Sequence, residues 1–464
     1  MTRSPGRPGR TPLGAVYLLA SPCPKASVDI EKLAFLLRSR GFAIARSPED
    51  ADLILTWGCG FIDDAKRESI DDILAAVEAK QSGRARAVIV TGCLPEKYGD
   101  ELAEALPEVD TFVGASSLGL LPEIIGHVLG GEDVRRVWLS RPFVEMDAGP
   151  GRDLSGETPW TRALLVSHGC DNRCTYCAIP QMQGGLRSRE PDEIVREARS
   201  LVESGAREIV LAGQDIASYG RDLLLGAGGR TGRGATGLTG LVKRLAGESG
   251  AAWIRLCYAH PDNLDPAVAD VMREHASVCR YLDLPIQHAA PSVLAAMGRR
   301  PEPEATAAKI ARMRERVPDL ALRTSVIVGF PGEREADFEM LLEFLKANEF
   351  DLIGAFEFSP QPQTPAARLP GRVPAAVRQE RLVEVVRLAE EISRSRLARL
   401  IGRTLDVLVE ETAEGGVVGR SEYDAPEVDR RVVVAGSVAA PGEFVKARVT
   451  GYTAWGHLEA VPAA

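Results

Sequence analysis

Over the first 150 residues, short apolar runs alternate with segments whose apolar residues recur every three or four positions. The runs are Ala15–Ala20, Ala51–Thr56 and Ala87–Thr91, and helix-like segments follow at Val28–Arg38, Asp64–Ala79 and Lys97–Leu106. Apolar strands separated by amphipathic helices predict a parallel sheet flanked by helices. From Leu164 the pattern becomes repeated strand-then-helix units. Strand candidates are Ala163–Ser167, Glu208–Ala212, Trp253–Tyr258, Tyr281–Pro285, Leu320–Val328 and Ile353–Phe358. Helical stretches between them include Asp192–Ser204, Pro266–His275, Pro291–Met297, Glu304–Arg316 and Glu335–Asn348. Six such units predict an incomplete TIM-like (β/α)6 barrel with its chemistry at the carboxyl ends of the strands.

Pro360–Pro374 carries five prolines and reads as a linker passing over the surface. A helix over Ala375–Leu400 follows. Beyond it, Leu405–Val409, Gly416–Gly419, Arg431–Val434, Glu443–Val449 and His457–Val461 predict a small β-barrel. The fold class is therefore α/β, with a parallel-sheet domain at residues 13–145, the partial barrel at 156–390 and the β-barrel at 400–464.

The chemistry concentrates in cysteines. Cys170-Asp-Asn-Arg-Cys174-Thr-Tyr-Cys177 follows the first barrel strand. Three closely spaced thiolates suit three corners of an iron–sulfur cube, whose fourth iron stays open to bind a small molecule and pass it an electron. A zinc site would need a distant fourth ligand, and a redox CxxC leaves Cys170 unexplained. A second trio comes from the first domain, where each strand leads to a cysteine: Cys23, Cys59 and Cys93. Adjacent parallel strands would bring these thiols to one sheet edge; the alternative is three unrelated buried cysteines. Cys257, in an apolar run, and Cys279, in a helix-like stretch, read as packing residues.

Other polar residues fall at the same barrel mouth: Gln214 and Asp215, Gln287 and His288, and Gly329-Phe-Pro-Gly-Glu333. Gly213, Gly329 and Gly332 would permit close backbone approach to a ligand. Gly226–Gly240 reads as a flexible surface loop.

Composition narrows the setting. A net charge of −9 argues against a protein built to coat nucleic acid, and eight cysteines in 464 residues are too few for a disulfide scaffold. The basic start Met1–Arg10 followed by Leu13–Ala20 faintly resembles a leader peptide, but eight apolar residues are short for one and Pro22 precedes the cysteine. Residues 1–12 are expected to be a disordered basic leader, and the protein cytoplasmic with no membrane partner. The terminal β-barrel counts ten acidic residues against six basic over 400–464, which would repel a phosphate backbone and attract a basic protein.

With these motifs in hand, the chain from about residue 13 to 461 resembles the radical S-adenosylmethionine methylthiotransferases, which share the domain order and end in a TRAM β-barrel of OB-like type. Within the family it is similar to the branch that modifies ribosomal protein S twelve of the small subunit. Gly169-Cys-Asp-Asn-Arg-Cys-Thr-Tyr-Cys-Ala-Ile-Pro180, Leu186-Arg-Ser-Arg189, Pro285-Ile-Gln-His288 and Gly419-Arg-Ser-Glu-Tyr-Asp-Ala-Pro426 carry that likeness. The chain departs from the family at Ser21-Pro22 before Cys23, at Ala26, at Trp57-Gly58 before Cys59, and at Gln183.

The resemblance implies two 4Fe–4S clusters and S-adenosylmethionine as cofactors. Cys170, Cys174 and Cys177 would hold the cluster that binds and reductively cleaves S-adenosylmethionine, giving a 5′-deoxyadenosyl radical that takes hydrogen from the β-carbon of an aspartate. Cys23, Cys59 and Cys93 would hold the auxiliary cluster that carries the sulfur, with a second S-adenosylmethionine giving the methyl group. Gln214, Arg323 and Gly329 are the further cofactor-contact candidates. Partners implied are the ribosomal protein, free or in the ribosome, and a reduced electron carrier. Two alternatives stay open, methylthiolation of a tRNA adenosine and a non-enzymatic iron–sulfur binding or assembly factor.

Overall fold

The computed structural model describes residues 13–19, 23–146, 148–149, 151–155, 159–224 and 236–463. The expected leader and most of the Gly226–Gly240 stretch lie outside them; the end of that stretch is not loop, because a helix begins at Leu238. The chain divides into two compact units, Met1–Leu154 with Gln181–Gln183, and Ser155–Pro180 with Gly184–Ala464.

The first unit holds strands β1 (Ala15–Leu19), β2 (Ala43–Ile44), β3 (Leu53–Gly58), β4 (Ala87–Gly92), β5 (Thr111–Gly114) and β6 (Val137–Trp138). They form one sheet in the order β2-β1-β3-β4-β5-β6, and every pairing is parallel. Strands β3 and β4 are buried along their whole length, because helices cover both faces. Alternate residues serve opposite cores: Leu53, Leu55 and Ile89 pack with Leu33 and Leu37 of the Pro24–Ser39 helix. Ile54, Val88 and Val90 pack with Ile73 and Val77 of the Asp63–Ser82 helix. Each such side chain contributes about 1.5–3 kcal/mol by leaving water. The three anticipated strands are adjacent, and the sheet extends beyond them. Strands β5 and β6 are only four and two residues long, too short for their alternation to register in sequence.

In the second unit, β7 (Thr161–Leu165) opens the barrel, and β8 (Ser167–His168) pairs with β9 (Arg187–Ser188) around the first cysteine loop. The barrel continues through β10 (Glu208–Ala212), β11 (Trp253–Leu256), β12 (Val278–Asp283), β13 (Ala321–Val328) and β14 (Leu352–Glu357). The order β14-β13-β12-β11-β10-β7 is that of an open six-stranded barrel, and its ladders are parallel throughout. Cys279 lies in β12, not in a helix. The preceding helix ends at Glu274, where His275 turns to extended backbone, and the residues beyond it are buried between neighbouring strands. Cys257 and Cys279 are both buried packing residues.

The chain ends in strands β15 (Thr404–Ala413), β16 (Gly416–Ser421), β17 (Val432–Ala435), β18 (Phe444–Tyr452) and β19 (Leu458–Pro462), a closed barrel ordered β15-β16-β17-β19-β18. One core joins it to the parallel sheet: Val210, Trp253, Cys279 and Tyr281 pack with Leu405, Val407, Val417 and Leu458. Within that contact Glu208 accepts from Arg255 Nε at 2.6 Å and from Arg420 at 2.5 Å, all three side chains being buried. Burial alone would raise the Glu208 carboxyl; the two guanidiniums outweigh it and hold the group at about 2.

Pro360–Pro374 does not simply pass over the surface. It makes a helical turn at Pro365–Arg368 and buries Gln361, Thr364, Ala366 and Val373. Part of the C-terminal acidity is also internal, since Asp424 is buried against Arg430. Six acidic residues remain exposed there (Asp406, Glu411, Glu414, Glu427, Glu443, Glu459) against three basic ones (Arg431, Lys446, Arg448), so the barrel surface stays acidic. Among the described residues no helix is long and apolar enough to cross a membrane.

Candidate active site

The Cys170–Cys177 loop leaves the carboxyl end of the first barrel strand and is tied down at several points. Cys170 N donates to Gly184 O at 3.1 Å, and Thr175 donates through N to Met297 O and through Oγ1 to Ala296 O, at 2.9 and 2.7 Å. Ala366 N donates to Thr175 O at 3.0 Å, which accounts for the buried turn in the proline-rich stretch. Gly169, at φ +66°, has no room for a side chain because a Cβ would collide with the Gly185 carbonyl.

A single buried carboxylate organises this loop. Asp215 Oδ1 accepts from Ala217 N (3.0 Å) and His260 N (2.9 Å), and Oδ2 from Asn172 Nδ2 (2.9 Å), Ser218 Oγ (2.6 Å) and Asn263 Nδ2 (2.8 Å). The cysteine loop and the loops after β10 and β11 therefore converge on one side chain. Asp215, at the barrel mouth, is thus a fully engaged anchor. Asp215→Ala removes charge-assisted bonds worth about 1.5–3 kcal/mol each. Anaerobically purified variant protein should hold less iron and unfold at lower denaturant, and unchanged values of both would show that the anchor does not matter.

The other sequence candidates separate. Gln214 stands half-buried just after β10. Arg323 lies on β13 between two carboxylates, 3.4 Å from Asp283 and 3.2 Å from Asp429. Burial raises Asp283 to about 6, against the lowering pull of Arg323. Gly329 has φ +71°, and a Cβ there would strike the Arg378 side chain, so the space it leaves is filled by protein. His288 is buried; its Nδ1 accepts from Ala290 N, and its Nε2 lies 3.4 Å from Glu333, which pairs with Arg381 at 2.7 Å. That set holds the Gly329–Glu333 turn together.

Sequence reasoning missed His260 and Arg299. His260 Nε2 is 4.0 Å from Cys174 Sγ. Arg299 is buried, donates to the carbonyls of Pro285 and Ile286, and its Nε has no acceptor among the described residues. The only hint of either was its place just beyond a strand or helix end.

In the first unit, Cys23 caps the Pro24–Ser39 helix, Cys59 directly follows β3, and Cys93 follows β4 as the first residue of the Cys93–Ala105 helix. A Cβ on Gly60 would lie 2.9 Å from the Cys93 carbonyl oxygen, so the loop carrying Cys59 rests on the backbone of Cys93. Cys59 N donates less freely than it could to a ligand, being engaged by Ser69 Oγ at 2.9 Å. Gln183, grouped with this unit, donates to Cys93 Sγ at 3.0 Å.

All eight cysteines are free. Burial pushes the thiols of Cys93 and Cys170 up to about 11 and that of Cys177 to about 12, so binding metal there must release protons. Among the described residues no three potential ligands converge on a point as they would around a lone ion. The members of each trio nonetheless lie close enough to act on one another's charge. Two thiol trios, and a buried guanidinium with an idle donor beside Cys174, suit anionic iron–sulfur clusters with three protein ligands each.

An open parallel barrel with three cysteines after its first strand is the architecture of radical-SAM enzymes, and residues 164–345 match the Radical SAM superfamily. Residues 15–114 match the uncharacterized protein family UPF0004, and residues 401–455 the TRAM domain. A ribosomal protein uS12 methylthiotransferase RimO from Desulforudis audaxviator is 43% identical, covering 96% of each chain. Its namesake from Geobacter sulfurreducens is 41% identical over 94% of this chain and 96% of its own. Among solved structures, the radical S-adenosylmethionine methyltransferase TsrM from Kitasatospora setae shares the fold, with TM-score 0.54 and 16% identity over 75% of this chain and 73% of that one. The chain belongs to the RimO family of radical-SAM methylthiotransferases. It is an enzyme whose cofactors are two 4Fe–4S clusters and S-adenosylmethionine.

Proposed function

We propose that this enzyme converts an aspartate of ribosomal protein uS12 to β-methylthioaspartate. The observation that carries the reading is the pair of cysteine trios, each at the carboxyl ends of parallel strands, in a chain that uS12 methylthiotransferases match over nearly its full length. Cys170, Cys174 and Cys177 hold the radical-generating cluster, and Cys23, Cys59 and Cys93 the auxiliary one. When bound, these groups supply an electron that opens S-adenosylmethionine to a hydrogen-abstracting radical, and the sulfur that is methylated and transferred.

The chain's own residues position and shield that chemistry. Asp215 fixes the Cys170–Cys177 loop through Asn172, and Thr175 fastens the same loop to the end of the Pro291–Ala296 helix. Gln214, half-buried just after β10, is the residue we assign to the cofactor's polar groups. Arg323, held by Asp283 and Asp429 on the barrel's fifth strand, is the cation we assign to the cofactor's carboxylate. Gly329 serves packing against Arg378. The acidic terminal barrel suits a basic ribosomal protein, and a reduced electron carrier completes the partners.

Mass spectrometry of uS12 and of bulk tRNA, from cells with and without the gene, tests the substrate. A methylthio increment lost from uS12 alone is the expected result. Its loss from tRNA alone would replace the substrate.

A further inference from the structure

We propose that Arg299 and His260 set the reduction potential of the radical-generating cluster by loading one of its three ligand sulfurs, that of Cys174. The inference rests on Cys170, Cys174 and Cys177 holding that cluster, and goes beyond it in giving the three sulfurs unequal surroundings.

Cys170 meets Asn172, through both its backbone amide and its side chain, and Cys177 meets the backbone amide of Ile179 and feels Arg299 only through its charge. Cys174 faces side chains. His260 Nε2 approaches its sulfur to 4.0 Å. The His260 Nδ1 accepts from Asp262 N at 3.2 Å; an acceptor nitrogen carries no proton, so the ring is neutral with its hydrogen on Nε2, directed at the thiolate. The ring is held from its backbone by Asp215, the carboxylate that also holds Asn172 in the cysteine loop. His260 and the ligand loop are thereby fixed to one anchor.

Arg299 adds charge. Its side chain is buried, yet it makes no ion pair with a carboxylate among the described residues. One terminal nitrogen is spent on the Pro285 and Ile286 carbonyls at 2.7 and 2.8 Å, and Nε has no acceptor. A buried cation without a counter-charge is strongly unfavourable. The ionisable groups acting most strongly on it are Tyr176 and Cys174. A cluster with three thiolate ligands carries net negative charge and becomes more negative on reduction. Arg299 thus finds its counter-ion in the cluster, and a cation with an N–H donor at one ligand sulfur favours the reduced state.

The test uses the full-length, anaerobically reconstituted enzyme and follows two readouts, iron content and redox titration monitored by electron paramagnetic resonance. The radical-generating cluster is recognised as the one whose signal changes when S-adenosylmethionine is added. Arg299→Met should lower its midpoint potential with the auxiliary cluster unmoved. His260→Phe should lower it less, and Arg299→Lys should restore most of the Arg299→Met shift. Unmoved potentials in Arg299→Met and His260→Phe at full iron content overturn the proposal. A measurement on the unmutated enzyme guards against variants that lose iron: with 15N-labelled histidine, the reduced cluster should show a weak nitrogen hyperfine coupling. Its absence overturns the role of His260 whatever the variants do. Absence of any cluster responsive to S-adenosylmethionine would overturn the functional reading itself.

Discussion

Replacing Cys174 with alanine is expected to abolish cleavage of S-adenosylmethionine, whereas replacing Cys59 should leave cleavage in place and abolish sulfur transfer. The two cysteines belong to different sheets and different loops, one after β7 and the other after β3. Cys174 sits in a loop pinned at Asn172 and Thr175, so its removal should take one corner from the proposed radical-generating cluster while the loop itself stays folded. The Cys59 loop rests on the backbone of Cys93, and its removal disturbs only the auxiliary trio. Release of 5′-deoxyadenosine and methylthiolation of uS12, measured side by side, separate the two steps. Loss of transfer with intact cleavage in both variants would contradict this division of labour.

The second large effect is on stability. Glu208→Gln leaves Arg255 and Arg420 buried against a neutral amide, and breaking a buried ion pair from one side costs about 3–5 kcal/mol. Both guanidiniums have other acceptors, the carbonyls of Glu422 and Asp424 at 2.8 and 3.0 Å, which sets the loss toward the lower end. The pH dependence follows from the carboxyl being held at about 2, below an unfolded value of about 4.3. A depressed folded value means that the stabilisation is complete above about pH 4.3 and is lost as pH falls through about 2. Denaturant unfolding between these limits should therefore show a steeper acid-dependent loss in the wild type than in Glu208→Gln, which keeps only the loss due to other depressed carboxyls such as Asp319 and Glu333. Equal stability of the two proteins at neutral pH would refute the role assigned to this contact.

The architecture was legible where periodicity was strong. Uniformly apolar strands such as β3 and β4, and the Glu335–Asn348 helix, follow from spacing alone, and so does the adjacency of the three strands that carry Cys23, Cys59 and Cys93. Short strands such as β6 leave no such trace. Cys279 was misread because a strand buried between two others lacks the alternation that marks a half-exposed one. The cysteines were legible because thiols in that spacing have few other uses. Their surroundings were not: Asp215 draws partners from as far as 48 positions away, at Asn263, and Arg299 declares itself only through the acceptor its Nε lacks. Such relations exist between loops, and local sequence does not encode them.

By the proposed ligand sets, one chain holds two clusters, each with three cysteine ligands. Iron and acid-labile sulfide analysis of the anaerobically reconstituted enzyme, with Mössbauer spectroscopy, tests it most directly. About eight irons per chain are expected, all in 4Fe–4S form, falling by half in Cys174→Ala and by the complementary half in Cys59→Ala. About four irons in the wild type, or loss of the same cluster in both variants, would contradict it.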